Sequence, residues 1–237
     1  MQQYFIDTIL EIDKLVPLSK DQHHHIANVM KMQETAKIRI VDFNSRIFLC
    51  EVTYIDKQTF ARVLSEIFEN HELPIKVTLF IALIKNDKWD IMLQKACELG
   101  VYKIVPFESS RTVVKINSKL DKKMIRWQKI LQEASEQCHR NIVPIIEKPI
   151  LLKDIVKFQD DLNFVAYANL DNQLLFSKVI ESNKNINLVI GPEGGLSAAE
   201  VAFLNEHNYR SVKLGNRILR AETASIYALS CVSSILE

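Results

Sequence analysis

Apolar and polar positions follow two regimes that meet near residue 74. Before that point, short runs alternate between the two: Lys37-Ile-Arg-Ile-Val-Asp-Phe43, Arg46-Ile-Phe-Leu-Cys-Glu-Val-Thr-Tyr-Ile55 and Thr59-Phe-Ala-Arg-Val-Leu-Ser-Glu-Ile-Phe68. A period of two marks strands with one face in a core and the other in water. Polar turns at Asp42–Ser45 and Asp56–Gln58 separate these runs, so the pattern predicts a small antiparallel barrel. One helix is expected to interrupt it up to Met32, its amino end capped by Ser19 or Asp21. Glu69-Asn-His-Glu-Leu-Pro74 is polar and closes on a proline, which places a domain boundary between 1–72 and 73–237.

Beyond Pro74 strands alternate with helices. Lys76–Ile84 is almost wholly apolar, as a central parallel strand should be. Residues 87–99 have the period of an amphipathic helix, with Asp87 as a candidate cap and Gly100 just past its end. Further strands are expected at Val101–Phe107, Asn163–Ala168, Ile186–Ile190 and Ser211–Leu214. Helices are expected at 118–140, Asp171–Ser182, from Ser197-Ala-Ala-Glu200 to His207, and at Glu222–Leu236. Ser197 and Glu200 have the spacing of a capping box. This alternation predicts an α/β fold with a mostly parallel sheet.

Only five glycines occur in 237 residues, and four of them (Gly191, Gly194, Gly195 and Gly215) stand in two segments. These are Leu188-Val-Ile-Gly-Pro-Glu-Gly-Gly-Leu-Ser197 and Leu214-Gly-Asn-Arg-Ile-Leu-Arg-Ala-Glu-Thr223. Each follows an apolar strand and precedes a helix, the way α/β proteins build a ligand pocket at the carboxyl ends of strands. The first is no phosphate loop: Gly-Lys-Ser/Thr is missing, and Pro192 has no N–H to donate. Its free backbone groups suit adenine or ribose edges. Arg217 and Arg220 either bind an anion or belong to buried ion pairs, and Thr223 is a candidate cap.

Charge refines the picture locally. Net charge is +1, yet residues 1–72 have eight basic and eleven acidic side chains, while 76–140 have thirteen and seven. The basic segment includes Lys85, Lys88, Lys95, Arg111, Lys119, Arg126 and Arg140. It is either a phosphate-binding face or a solvated helix surface. Glu133, Glu136, Gln137 and Arg140 share one helical face, as a solvated stripe or a cleft lining. Three adjacent histidines, His23–His25, point different ways on a helix and cannot hold one metal ion; no metal is expected. Four scattered cysteines, no apolar run of about 20 residues and no basic-then-apolar start predict a reduced, cytoplasmic protein.

The two glycine segments resemble the signatures of the RsmE-type 16S ribosomal RNA uridine-N3 methyltransferases, of the SPOUT superfamily. Gln94-Lys-Ala-Cys-Glu-Leu-Gly-Val101, Ser109-Ser-Arg111, Glu133-Ala-Ser-Glu-Gln-Cys-His-Arg140 and His23-His-His-Ile26 resemble that family as well, so the likeness covers the chain. It implies a PUA-like RNA-binding barrel followed by a trefoil-knotted methyltransferase domain, a homodimer, and S-adenosylmethionine as cofactor. Carried over, the cofactor loops are Leu170, Gly191-Pro192-Glu193-Gly194-Gly195, and 214–224 with Leu214, Gly215, Ile218, Leu219, Arg220, Thr223 and Ala224. His25, Lys85, Lys88, Lys95, Arg111 and Arg140 become the RNA-facing set. Methylating a uracil imide requires loss of its N3 proton and stabilisation of charge on the flanking carbonyl oxygens. Arg220 is expected to stabilise that charge, Glu222 to orient, and Glu193 is the candidate base. Two departures stand out. Gln2 and Gln3 stand where the family usually has an arginine, and His25-Ile-Ala-Asn-Val-Met-Lys31 replaces its His-x-x-Arg-Val-Leu-Arg. Both thin the cations of the barrel.

Overall fold

The computed structural model describes residues 1–115, 120–168 and 174–237, and the chain divides into two compact units. The first comprises residues 1–72 together with 135–143. Its strands β3 (Lys37–Val41), β4 (Ile47–Ile55) and β5 (Gln58–Ile67) form where the alternation predicted them. Cys50, Val52, Ala61 and Val63 turn inward and are fully buried, packing with Tyr4, Leu18, Ile38 and Ile40. Asp56 and Lys57 take φ of 49° and 63° in the two-residue turn where Ile55 faces Gln58. This mirror-image turn matches the twist of the strands it joins.

Two strands were not anticipated: β1 (Gln3–Phe5) and β2 (Leu15–Pro17). Each is three residues long, too short to display a period. They complete a five-stranded sheet in the order β1-β3-β4-β5-β2. β1 runs parallel to β3, so the sheet is mixed and not purely antiparallel. The helix after Ser19 begins as α1 (Lys20–His23) and continues as a π-helical turn over His24–Val29. Ser19, not Asp21, is its cap: Ser19 Oγ accepts from Gln22 N at 3.2 Å, and Gln22 Oε1 accepts from Ser19 N at 2.9 Å.

Segment 135–143 is fastened within this unit by Arg140. Its guanidinium is buried, with Nε donating to Glu72 Oε2 at 3.1 Å. Glu72 Oε1 also accepts from Asn141 N at 2.9 Å, and the Arg140 carbonyl accepts from Gln3 Nε2 at 2.7 Å. Arg140, grouped above with the RNA-facing cations, is thus enclosed in an ion pair.

The second unit spans 73–134 and 144–237. Its elements are β6 (Val77–Ala82), α2 (Asn86–Glu98), β7 (Lys103–Glu108), α3 (Leu120–Gln137), β8 (Ile145–Ile146), β9 (Ile150–Leu151), β10 (Leu162–Ala166), β11 (Ile186–Ile190), α4 (Ala198–Glu206), β12 (Arg210–Val212) and α5 (Ala221–Leu236). The last turn of α3 falls in the first unit. The sheet is parallel throughout, in the order β12-β10-β11-β6-β7-β8, with β9 also beside β7. β6 lies at its centre and is buried on both faces, as its apolar run predicted.

Three local expectations need correction. The 171–182 helix is replaced, among described residues, by one 3-10 turn at Phe176–Lys178; residues 171–173 lie outside them. Leu175 bridges in parallel to Lys213, Phe176 N donates to Lys213 O at 2.9 Å, and Phe176 packs edge-on against Phe164. Pairing with the end of β12 therefore outcompetes helix formation. Asp87 does not cap α2; Lys85 holds the extended cap position and Asp87 lies in the first turn, near the positive helix end. Arg220, not Thr223, occupies the cap of α5, with φ −67° and ψ 156°.

Replacing Arg140 with alanine should lower the folding free energy by about 3 kcal/mol, because Glu72 is left without its buried partner. Equilibrium urea denaturation measures this. A loss below about 0.5 kcal/mol, as at an ordinary surface position, would show that the pair does not hold the segment.

Candidate functional site

β10 pairs in parallel with β11 on one side and β12 on the other, so the carboxyl ends of all three open along one edge. The chain leaving them, at 166–168, 190–196 and 214–221, walls a cavity of about 280 Å³. Ile190, Leu196, Leu214 and Leu219 supply apolar surface. Residues 191–195 supply backbone groups. Ala221 and Ala224, three apart on one face of α5, bring the positive end of that helix to the cavity.

The first glycine loop is a closed turn, with Gly195 N donating to Pro192 O at 2.8 Å. Gly195 has φ +66°, the left-handed region that glycine enters without a penalty. A Cβ at Gly195 or Gly215 would meet no atom within 4 Å, whereas one at Gly191 would press on Leu196 at 3.0 Å. Gly191 is thus fixed by packing, while Gly195 and Gly215 border open space in the cavity wall. A flat, partly apolar ring system with hydroxyls fits this lining.

A second turn braces the first. Thr112 N donates to Ser109 O at 3.2 Å, and Ser109 N donates to Thr112 Oγ1 at 2.9 Å. Ser109 and Thr112 are buried, leaving Ser110 and Arg111 at the exposed apex. Ser110 N donates to Glu200 Oε1 at 2.7 Å, and Arg111 Nη1 donates to Gly194 O at 3.0 Å. Glu200 Oε2 accepts from Ser197 N at 2.8 Å, within the capping box that opens α4 as predicted. Burial acts to raise the Glu200 carboxyl, but its hydrogen bonds from Ser110 and Ser197 outweigh that and hold it below the ordinary carboxylate value.

Of the residues expected at a cofactor site, Gly191, Pro192, Glu193, Gly194, Gly195, Leu214, Gly215, Ile218, Leu219 and Ala224 line the cavity. Leu170 lies outside the described residues. Arg220 and Thr223 are exposed and not part of the lining, although Leu219 and Ala221 on either side of Arg220 are. Glu222 also lies off the lining; its carboxylate is 3.5 Å from Lys88 Nζ, so these two residues face each other. Lys85 is exposed at the start of α2, and Lys95 is paired with Glu98 at 2.8 Å. In the first unit His25 Nδ1 lies 2.9 Å from Tyr4 Oη, and His23 and His24 have partners of their own in Thr59 and Asn28. Among the described residues no group of three or more metal-ligating side chains is assembled.

Arg111 and Ala166–Ala168 were missed as cavity residues. The latter were signalled by their place at a strand's carboxyl end. Arg111 has no local signal, since Gly194 is 83 positions away.

Residues 71–233 match the RNA methyltransferase domain family, and 18–64 match the RNA methyltransferase PUA domain family. Fold and site therefore define a SPOUT-type RNA methyltransferase domain behind a PUA-like β domain. The ribosomal RNA small subunit methyltransferase E of Bacillus subtilis is 37% identical over 246 residues, covering 98% of this chain and 96% of the relative. The enzyme of the same name from Neisseria gonorrhoeae, crystallised bound to S-adenosyl methionine, superposes with a TM-score of 0.91 at 27% identity, covering 99% and 98%. A Legionella pneumophila structure in complex with the bound cofactor SAM gives 0.90 at 30% identity, covering 98% and 97%. The chain belongs to the ribosomal RNA small subunit methyltransferase E family, as its motifs implied.

A carboxylate held below its ordinary pKa stabilises the fold above that range, and the contribution fades as pH falls through the depressed value. Glu200→Gln should thus melt lower than the native protein at pH 7, with the gap closing towards pH 3. Thermal melts across that interval provide the check, and a gap independent of pH would contradict it.

Proposed function

We propose that this protein methylates N3 of a uridine in small-subunit ribosomal RNA, with S-adenosylmethionine bound in the cavity at the ends of β10, β11 and β12. The observation carrying this reading is that the two glycine segments named by the sequence motifs wall one cavity together with the exit of β10, and its lining suits an adenosyl group. Residues 1–72 would act as the RNA-binding domain and 73–237 as the methyltransferase domain.

When bound, S-adenosylmethionine supplies an electrophilic methyl group on a sulfonium. The remaining work falls to the chain. Backbone groups of 191–195 and 214–219 hold the adenosyl edges, and the apolar wall of Ile190, Leu196 and Leu214 excludes water. Uracil N3 becomes nucleophilic once its proton leaves, so a base and a cation beside the carbonyl oxygens are needed. Glu193 is the carboxylate among the described lining residues and takes the role of base. Arg220, one step from lining residues on both sides, stabilises the charge, with Glu222 orienting the start of α5 from its contact with Lys88. Lys85, exposed at the start of α2, contributes to phosphate contact.

A homodimer fits the exposed apolar side chains of α5, Tyr227 and Ile235, together with Ile91 on α2, which packs against α5. The knot of the family is supported by the chain's path. It passes from β12 at one edge of the sheet to α5, which packs on β6 and β11 at the centre. Cytoplasmic residence agrees with four free cysteines, and no helix among the described residues is long and apolar enough to cross a membrane.

Ribosomal RNA from a strain lacking this protein should lose one N3-methyluridine in the small subunit, and expression of the gene should restore it. Unchanged N3-methyluridine would reject the proposed substrate. Gly215→Val tests the cavity separately, since the new side chain enters open space without backbone strain. Calorimetry should show affinity for S-adenosylmethionine falling by at least about 100-fold, with the melting temperature held within a few degrees. Retained affinity would place the cofactor elsewhere.

A further inference from the structure

We infer that Glu200 is a positioning residue for methyl transfer: it holds the Ser109–Thr112 turn against the glycine loop so that the Arg111 guanidinium stays fixed at the cavity. This inference rests on the function proposed above and adds to it a cation the motifs had placed on the RNA-facing surface.

Three observations carry it. Arg111 lines the cavity, and its one hydrogen bond runs to the Gly194 carbonyl of the loop that also lines it. Among the described residues no carboxylate lies within ion-pair distance of Arg111, in contrast to Lys88, which faces Glu222. The turn that presents it is closed at its base by the Ser109–Thr112 bonds and tied at its apex by Glu200 through Ser110 N. A donor that stabilises developing charge is effective when it is already in place before reaction. Arg217 also lines the cavity, but among the described residues its side chain has no hydrogen bond comparable to that of Arg111 to Gly194. Arg111 is therefore a preorganised cation for the uracil oxygens, in addition to Arg220.

Glu200 makes the coupling specific. One oxygen serves the Ser110 amide and the other serves Ser197, so a single carboxylate joins the turn to the start of α4 and to the end of the glycine loop. Against the effect of burial, Ser110 N, Ser197 N and Ser197 Oγ hold the carboxyl below its ordinary value, with both oxygens engaged. An amide in its place has one acceptor oxygen and must release one of the two.

The test is a double-mutant cycle on the full-length protein, using small ribosomal subunits as methyl acceptor and S-adenosylmethionine as donor. Arg111→Ala should lower kcat by about 100-fold, and Glu200→Gln by about tenfold, with cofactor affinity changed less than about threefold in each. The double variant should be no slower than Arg111→Ala alone, because Glu200 acts through Arg111. Ser197→Ala, which removes the cap hydroxyl, should lower the melting temperature and leave kcat within about twofold. Multiplicative losses in the double variant would overturn the inference and leave Glu200 a helix cap. So would an Arg111→Ala variant with unchanged kcat, a raised KM for the subunit and a flatter salt dependence, the signature of a phosphate contact. A native protein that binds no S-adenosylmethionine and transfers no methyl group would overturn the proposed function itself.

Discussion

Everything about the site depends on β10 standing between β11 and β12 in one parallel sheet. The order is not that of the sequence. Had β10, β11 and β12 been laid down consecutively, the middle exit would belong to β11, and the glycine loop would fill the centre. Instead the β10 exit is central, with the two glycine segments flanking it. Neighbouring strands lie about 4.8 Å apart, so the three exits span roughly 10 Å, the width of a nucleoside. The buried apolar faces of β10 and β11 enforce this arrangement, since every residue of β11 is packed on both sides. A cavity of defined width is thus a consequence of sheet order, and the glycines only shape its wall.

Carboxylates in this chain act mainly as fasteners. Glu72 holds Arg140 and the 135–143 segment, Glu222 faces Lys88, and Glu200 gathers backbone donors from two loops. Glu72 and Glu200 each gather several donors where an unpaired charge would be costly, while Glu222 has Lys88 3.5 Å from one oxygen and no hydrogen bond to the other among the described residues. Among the described residues the cavity lining is left with two arginines, Arg111 and Arg217, and one exposed carboxylate, Glu193. That imbalance suits a reaction in which negative charge develops on the substrate.

What was legible in the sequence is what local rules determine. β11 occupies the residues its apolar run predicted, the Ser197–Glu200 capping box has the expected donors, and Gly100 follows α2 with φ +83°. The glycine loops announced the cavity because sparse glycines mark special backbone. Apart from the caps expected at Asp87 and Thr223, the failures trace to partners distant in sequence. β1 and β2 are strands only because β3 and β5 accept them. Residues 174–178 form no α-helix because Leu174 and Leu175 pair with Lys213, leaving a 3-10 turn at Phe176–Lys178. Arg140 reads as a surface cation until Glu72, 68 positions earlier, encloses it. Arg111 is exposed, as a surface cation should be, but its anchor at Gly194 was not legible for the same reason.

Whether the three strand exits form the cofactor site is tested most directly by a crystal structure of the protein grown with S-adenosylmethionine. The adenosyl group should lie between residues 166–168, 190–196 and 214–221, within reach of the Gly194–Gly195 backbone. Cofactor bound away from those loops, or none at saturating concentration, would contradict this placement.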